Sequence, residues 1–427
     1  MDYYKHHFIS GEYMHITKKN RWFIVLAAMG IHICIGSVYA WSVYVKPIQT
    51  AMNWTLTDVT ITFSVAIFFL GLAAALLGKF VETRGPRVAA TLAAVLFGLG
   101  TVGSGFAIAM ESKILLYLTY GVLGGAGLGI GYISPVSTLV KWFPDKRGMA
   151  TGLAIMGFGF ASAISGPAIK LLIDFVGISS TFYILGSIYF GVMFAAAQYL
   201  EAPPEGYMPE RFSKALESGK AKIKEDLASL TREEAVKTGR FYGLWIMLFI
   251  NVTCGIAIIS VASPLLQEVV GISAIAAASA VGFMGIFNGI GRISWASVSD
   301  YLTRPVVFVL FFVTQIIAFY LLTTVTSIFL FQILLYYIMT CYGGAFASIP
   351  AYIGDIFGTK QLGAIHGYIL TAWALAGLVG PLIIAYVKDT TGSYVSTLYV
   401  FVGLFSIALI ASIWMILNIK KVKLASV

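Results

Sequence analysis

The sequence predicts an all-α membrane protein whose twelve transmembrane helices form two halves of six. Of its 427 residues, 59% are hydrophobic and only 11% are charged, which is more apolar surface than a soluble domain needs. Apolar runs long enough to span a bilayer recur along the whole chain. Features of the first six runs return in the last six, which indicates an internal duplication.

The positions of these runs divide the chain into five segments. We predict a cytoplasmic N-terminal arm at 1–21, a six-helix bundle at 22–199, a cytoplasmic linker at 200–240, a second six-helix bundle at 241–418 and a tail at 419–427. The predicted spans are 22–45, 59–78, 87–109, 114–140, 148–173, 179–199, 241–266, 274–298, 306–325, 328–353, 362–387 and 396–418.

We expect the first apolar run, 22–45, to be retained as a membrane span and the N-terminal arm to hold no metal. The first apolar run is too long for the core of a signal peptide. His6, His7 and His15 could ligate a metal, but the composition favours a mobile arm. The three cysteines lie in separate apolar runs, which argues against disulfides. We therefore predict no metal and no cofactor.

The basic residues indicate which side faces the cytoplasm. If the termini lie inside, the inner loops hold 23 of the 28 Lys and Arg residues and the outer loops hold four, as the positive-inside rule requires. The net charge of +9 thus follows membrane topology, and we predict no nucleic-acid partner. The sequence predicts a multi-pass protein of the cell membrane with both termini cytoplasmic. The mixed charge of 214–237 predicts a surface helix within the linker.

Positions in the two halves correspond. Pro135 in the fourth span corresponds to Pro350 in the tenth, and Glu82 after the second span corresponds to Asp300 after the eighth. Parallel duplication of this kind is typical of transporters that bind substrate between two halves near the bilayer midplane.

Arg292 is the remaining basic residue, and it lies inside the eighth span. A cation at that depth costs several kcal/mol and is a functional-site hypothesis by default. Its planar guanidinium matches a carboxylate through two parallel hydrogen bonds, so we predict that it anchors an anionic substrate. Alternatively, the side chain snorkels towards the cytoplasmic face or holds a carbonyl of a neighbouring helix.

The loop after the second span contains Gly78, Glu82, Gly85 and Arg87 in the pattern G-x-x-x-E-x-x-G-x-R. This pattern resembles the signature loop of the major facilitator superfamily, with Glu in place of the usual Asp, and the resemblance implies the major facilitator fold. We expect Gly78 to allow close helix approach. We expect Glu82 and Arg87 to pair with a helix end across the interface between the halves, with Asp300 as the counterpart, and so to control gating. The alternative is a solvated turn.

Six glycines crowd the fourth span, and they do not predict a nucleotide site. A dinucleotide-binding loop requires a preceding strand and a following amphipathic helix, and neither pattern is present. The spacings Gly121/Gly125 and Gly127/Gly131 instead favour close helix packing in lipid.

The string W-F-P-D-K-R-G-x-A-x-G, which begins at Trp142, resembles the loop between spans four and five of the oxalate/formate antiporter family and the related monocarboxylate transporters. Asn288-Gly-x-x-Arg292 and Tyr342-Gly-Gly extend the resemblance over both halves. It implies alternating-access exchange or symport of small carboxylates, with the arginine of span eight on the substrate.

Departures from that family narrow the substrate. Oxalate carriers of the family have a lysine where this chain has Trp373, a glutamine at Val38 and a tyrosine at Phe346. A dianion would leave its second charge unpaired in this less cationic pocket. We therefore predict a small monocarboxylate of the lactate, pyruvate, formate or acetate class, with oxalate/formate exchange as the alternative.

The coupling partner is predicted to be a proton or an exchanged anion. Monocarboxylate–proton symporters carry an aspartate where this chain has Asn288, and no acidic residue lies mid-span. His32 is the titratable alternative, although a packing histidine also fits; His366 is expected near the cytoplasmic end of its span.

Five aromatic residues could clamp the substrate between the halves: Tyr39, Tyr132, Tyr342, Phe346 and Trp373. Packing is as good an explanation for any one of them, with the tyrosines favoured because a buried hydroxyl needs a partner. Two further functional classes are less consistent with the sequence. An intramembrane enzyme would need paired acids or a metal cluster at depth, and the spans offer neither, so we predict no enzyme. A carboxylate sensor, which would bind its ligand without transport, is a further alternative.

Overall fold

The computed structural model describes residues 19–54, 56–218 and 226–425, and this part of the chain is helical and contains no strand. The N-terminal histidines and the middle of the linker lie outside the described residues. The helices of the first half are α1 (Arg21–Gly36), a 3-10 turn (Ser37–Ala40), α2 (Ser42–Met52), α3 (Leu56–Arg84), α4 (Pro86–Ala109), α5 (Lys113–Leu116), a π-helical segment (Tyr117–Gly124), α6 (Gly125–Trp142) and α7 (Arg147–Tyr199).

The linker contributes α8 (Glu210–Glu217) and α9 (Arg232–Ala235). The second half consists of α10 (Gly239–Val270), α11 (Ala274–Leu302), α12 (Arg304–Leu322), α13 (Ile328–Phe357), α14 (Leu362–Ile369), α15 (Thr371–Thr391) and α16 (Tyr394–Ala425). We call the end of the bundle at which α3, α6, α11 and α13 end the linker side, and the other end the opposite side.

Long apolar helices dominate the fold. Within the described ranges, ten helices are long and apolar enough to cross a membrane. The predicted spans 148–173 and 179–199 both fall in α7, which has 53 residues and is roughly 80 Å long at about 1.5 Å per residue. Gly177 has non-helical angles inside it (φ 79°, ψ 172°), a conformation that glycine tolerates because it has no Cβ.

Glycine contacts in the fourth predicted span bring backbones together, as its spacing predicts. A Cβ on Gly125 would lie 2.5 Å from the Ala66 carbonyl oxygen of α3, and one on Gly127 would lie 2.6 Å from the Phe97 nitrogen of α4. Both distances are far below van der Waals contact, so larger residues would separate these helices.

The two halves meet along α7 with α11 and along α3 with α14. A Cβ on Gly159 of α7 would lie 2.6 Å from the Gly289 Cα of α11, and one on Gly367 of α14 would lie 1.9 Å from the Ala74 carbonyl oxygen. The interface between the halves therefore consists of near-backbone contact along two helix pairs, with the large side chains collected between them.

The prediction of a surface helix at 214–237 is wrong. Helix α8 ends at Glu217, and the described part of the linker continues without a helix from Asp226 to Leu230 along the end of α13. The Leu227 and Leu230 N–H groups donate to the carbonyls of Asp355 and Phe357, both at 2.8 Å. These bonds replace the intrahelical ones, and both leucine side chains pack against the core.

Candidate functional site

Arg292 of α11 lies at the centre of the interface between the halves and is fully buried. Its Nε donates to the Asn288 side-chain oxygen one turn earlier, at 3.0 Å. Nη1 and Nη2 have no hydrogen-bond partner in the described part of the chain. The side chain therefore neither snorkels to a surface nor holds a backbone carbonyl. It presents a two-nitrogen edge inside the protein, near the Tyr39 and Tyr132 hydroxyls, and neither hydroxyl makes a hydrogen bond of standard geometry to it.

Aromatic rings pack on both sides of this guanidinium. The Phe158 ring of α7 and the Phe346 ring of α13 have their centroids 5.5 Å and 5.4 Å from the Arg292 Cζ. Rings at this distance stabilise a desolvated cation through their π faces. Phe158 was missed in the sequence analysis. The signal in the sequence is that Gly157 and Gly159 flank Phe158. Neighbouring helices approach the backbone closely at these two glycines, so the large ring between them lies at a helix interface.

Trp373 of α15 closes the same aromatic cluster. Its ring centroid lies 4.7 Å from that of Phe346, 5.4 Å from Tyr132 and 5.7 Å from Phe158. The indole nitrogen and the Tyr132 hydroxyl are buried and have no hydrogen-bond partner among the described residues. The indole nitrogen is therefore free to bind a ligand or an ordered water, and the Tyr132 hydroxyl interacts with the Arg292 guanidinium.

Tyr39 and Tyr342 connect the halves at the edge of this cluster. Tyr39 lies in the 3-10 turn after α1, and its hydroxyl is 3.1 Å from the Tyr342 hydroxyl of α13. Arg292 interacts electrostatically with both Tyr39 and Tyr132. The structure thus brings together all five predicted aromatic residues around the predicted anchor.

Two buried histidines flank Tyr132. His32 of α1 has its ring centroid 5.5 Å from the Tyr132 ring, and His366 of α14 lies 5.7 Å from it. His32 is therefore next to the cluster, as expected. His366, which the sequence analysis set apart from the site, contacts the same ring from the other half.

A cavity of about 500 Å³ lies between the halves on the opposite side of the bundle. Tyr39 and Asn288 line its inner end, and Pro167 and Phe283 on its rim are exposed. Asn288 is the residue to which Arg292 is hydrogen-bonded, so the cavity reaches to within one helical turn of the guanidinium. Its remaining lining is largely apolar and includes Val43, Ile259, Met284 and Met339.

Acidic residues close the linker side. The Glu82 carboxylate of α3 accepts a hydrogen bond from the Gly363 N–H at the start of α14, at 2.8 Å. In the same manner, Asp300 of α11 accepts from the Gly148 and Met149 N–H groups at the start of α7, at 3.0 and 2.9 Å. Each carboxylate thus caps a helix N-terminus of the other half, where the helix dipole favours negative charge.

The model of the Major Facilitator Superfamily matches residues 22–381 and 257–425. The chain belongs to the major facilitator superfamily.

Members of the superfamily that resemble this transporter include carriers of carboxylates. The oxalate:formate antiporter of Oxalobacter formigenes is 26% identical over 366 residues, which cover 84% of this chain and 83% of that protein. Monocarboxylate transporter 12 of Xenopus laevis is 27% identical over 326 residues, which cover 72% of this chain and 69% of that one. The resemblance derived from the sequence motifs is thereby confirmed.

A solved superfamily structure shows the same fold. The transporter FucP in the outward conformation superposes with a TM-score of 0.68 at 14% identity, over 92% of this chain and 98% of that chain. This protein is a membrane transporter and a multi-pass protein of the cell membrane.

The transporter's signature loop is only partly arranged as predicted. Gly78 allows close approach, since a Cβ there would lie 2.7 Å from the Gly363 carbonyl oxygen and the Ala364 Cα. Arg87, however, does not reach a helix end of the other half. It is half-exposed and lies 3.4 Å from Glu201 at the end of α7, because its place in the first turn of α4 faces that carboxylate.

The sequence analysis did not predict several other charged residues that connect the halves on the linker side. Arg147 at the start of α7 pairs with Asp226 of the linker and lies 3.5 Å from Asp355 of α13. Arg304 of α12, which is almost fully buried, pairs with Asp300 and lies 3.4 Å from Asp355. Charges of both halves and of the linker thus form one network.

Proposed function

We propose that this transporter is a secondary carrier that moves a small monocarboxylate across the membrane by alternating access, with the carboxylate bound by Arg292. The observation that carries the proposal is the fully buried guanidinium whose Nη1 and Nη2 have no partner in the described residues. An uncompensated buried cation is costly, and a carboxylate would satisfy both nitrogens with two parallel hydrogen bonds.

The surroundings of Arg292 support a monoanion. Phe158, Phe346 and Trp373 offer apolar and aromatic walls and no second cation. One carboxylate on one arginine leaves the site near neutral, whereas a dianion leaves an unpaired charge in a cavity of low dielectric constant. Lactate, pyruvate, formate and acetate are the compounds of the right class. The Tyr39, Tyr132 and Tyr342 hydroxyls are suitable donors for a second oxygen of such a substrate.

We propose that the transporter has twelve spans with its linker side and both termini in the cytoplasm. Helix α7 would cross twice, divided at Gly177, and α11 would cross once, in addition to the nine other candidate helices of the described chain. The distribution of Lys and Arg supports this orientation. The 1–21 arm, the 200–240 linker and the 419–427 tail would then all be cytoplasmic.

In this orientation the structure corresponds to an outward-facing state. The cavity lies on the outer side, and the cytoplasmic side is closed by the caps that Glu82 and Asp300 provide. Inward opening would break both caps as the halves rotate about the substrate.

Oxalate/formate exchange is the second candidate, because the oxalate:formate antiporter is among the similar proteins. Trp373 argues against it, since the resemblance places a lysine there in oxalate carriers. The coupling partner in either case would be a proton or an exchanged anion, with His32 as the residue to examine for a proton. We propose transport rather than catalysis or sensing, as expected for the superfamily.

Uptake into proteoliposomes tests the proposal. The purified protein is reconstituted, and uptake of labelled pyruvate is measured against competing lactate, formate, acetate and oxalate. The proposal expects strong competition by monocarboxylates and weak competition by oxalate. Absence of uptake for every carboxylate, from a protein that is folded and inserted, would refute it.

A further inference from the structure

A chain of two buried amides leads from α12 through α10 to the α13 segment at the site. Gln315 of α12 donates from Nε2 to the Asn251 Oδ1 of α10 at 3.1 Å, and the Asn251 Nδ2 donates to the Tyr342 carbonyl of α13 at 3.4 Å. Both amide side chains are 1% exposed. Each lies about 17 Å along its helix from the linker side, near mid-membrane depth. Neither residue lines the cavity.

Amides at this depth are costly unless they are fully hydrogen-bonded. Here they meet each other and then a backbone carbonyl that already belongs to a helix. Three helices are thereby tied together at Tyr342. This is the residue whose hydroxyl contacts Tyr39 in the first half.

The segment of α13 that begins at Tyr342 has little room to move. A Cβ on Gly255 of α10 would lie 2.1 Å from the Tyr342 Cδ2, and one on Gly343 would lie 2.2 Å from the Asn288 carbonyl oxygen of α11. The Tyr342 ring therefore lies directly on the α10 backbone, and its neighbour lies on the helical turn that carries Arg292. A small shift of α13 would move Tyr342 and Phe346 relative to the guanidinium.

We propose that Asn251 and Gln315 are positioning residues for the substrate site, which fix the α13 segment Tyr342–Phe346 against Arg292 and so set the affinity for the carboxylate. This inference rests on the proposed function, because it assigns a role towards the same ligand. Its chemistry is that of a scaffold: the amides hold the aromatic wall and the Tyr342 hydroxyl at the distance the carboxylate requires.

Another interhelical hydrogen bond provides a matched control for a general loss of contact between helices. The Tyr337 hydroxyl of α13 donates to the Thr314 hydroxyl of α12 at 2.7 Å. This bond joins α12 and α13, two of the three helices that the amide chain connects, and its members lie five residues before Tyr342 and next to Gln315. It does not lead to the site. Tyr337→Phe therefore removes an interhelical hydrogen bond of the same kind without touching the amide chain.

The test measures the Kd for labelled pyruvate and the thermal unfolding temperature of Gln315→Met, Asn251→Leu and Tyr337→Phe. Loss of a buried hydrogen bond worth about 1 kcal/mol corresponds to a roughly five-fold weaker Kd. We expect that loss for the first two variants and an unchanged Kd for Tyr337→Phe. The variant that carries both Gln315→Met and Asn251→Leu should bind no more weakly than Asn251→Leu alone, because either substitution by itself breaks the chain of amide hydrogen bonds.

Two results would overturn the inference. One is an unchanged Kd in Gln315→Met. The other is a Kd that rises in all three variants in proportion to the lost unfolding temperature, which would mean general loosening. Gln315→Glu supplies a rescue test: its protonated carboxyl can donate to Asn251, so affinity relative to the unmodified protein should recover at acidic pH, unlike that of Gln315→Met.

A substrate-independent measurement separates this inference from the proposed function. The rate at which phenylglyoxal modifies Arg292, followed by mass spectrometry of its peptide, should rise in Gln315→Met and not in Tyr337→Phe. If the protein without substitutions binds no pyruvate, that result counts against the proposed function, and the rates of phenylglyoxal modification still decide the positioning role. Equal modification rates in all three proteins would refute the positioning role.

Discussion

The Glu82 carboxylate caps α14, the helix that begins at Leu362, by accepting from the Gly363 N–H across the interface between the halves, at 2.8 Å. Asp300 makes the same contact in the opposite direction, on the helix that begins with Arg147. The internal duplication of the sequence thus appears in the tertiary structure as a pair of reciprocal caps. Both contacts lie on the linker side, and the gating role proposed for the two carboxylates requires both contacts to break when that side opens.

Glu82→Gln and Asp300→Asn should shift the equilibrium towards the state that opens on the linker side. A carboxylate at a helix N-terminus is worth about 1 kcal/mol, so each variant should change the ratio of the two states roughly five-fold. The measurement is the reactivity of a cysteine introduced on the linker side. Transport rate should change, and equilibrium affinity should follow the altered population alone.

Asp174→Asn is the control for this experiment, because Asp174 forms an exposed ion pair with Lys170 four residues away and closes no interface. It should leave the cysteine reactivity unchanged. A loss of substrate binding in Glu82→Gln without any change of accessibility would contradict the gating role.

Arg292→Ala should abolish carboxylate binding, with a loss of roughly 30-fold or more, because removal of one partner of a buried hydrogen-bonded charge pair costs about 2–5 kcal/mol. Arg292→Lys should also fail largely, since an ammonium cannot reproduce the planar fork. Binding and uptake of labelled pyruvate are measured beside Lys170→Ala, which removes an exposed cation from the opposite side. Uptake by Arg292→Ala at the level of the unmodified protein would exclude the anchor.

Trp373→Lys should move the preference towards oxalate. The new cation would lie in the cluster that contains Phe346 and Tyr132 and would pair the second carboxylate, although the lost indole volume also loosens the pocket. The measurement is competition against labelled pyruvate at a pH where oxalate is fully ionised. If oxalate already competes best in the unmodified protein, the assignment of Trp373 to the lysine position is wrong or another cation, His32 first, takes its place.

Phe158→Leu should weaken carboxylate binding about five- to ten-fold. The leucine keeps an apolar contact but loses the π face over Arg292, which is worth about 1 kcal/mol, together with the edge contacts that hold the ring against Tyr39 and Trp373. The Kd is compared with that of Phe68→Leu, in which an exposed ring of α3 is shortened. Equal affinity of the two variants would show that the Phe158 ring only packs.

Much of the architecture follows from local sequence properties. A run of about 20 apolar residues must span a bilayer as a helix because only a helix satisfies its own backbone there. Arg292 could be singled out because a charge inside such a run is conspicuous without any structure. The motif around Trp142 and the loop with Glu82 indicated the superfamily, and the comparison with known proteins confirmed it.

The predictions that failed concern partners. Arg87 was expected at a helix end of the other half and lies instead beside Glu201. The linker was expected to form a long surface helix, and its described end runs along α13. Both errors have one cause, since charged and polar segments find their contacts among groups that are distant in sequence.

By itself, the sequence determined the helical membrane class, the duplicated halves and the buried arginine. Long apolar runs must form helices in lipid, a charge inside such a run is costly, and the duplication is visible in the order of the residues. Only the tertiary structure decided that Phe158, His366, Asn251 and Gln315 gather around or behind Arg292. Helices that are apolar on every side carry no periodicity to indicate which face meets a neighbour. Close glycine contacts and the few buried polar groups choose that face, and they act between helices.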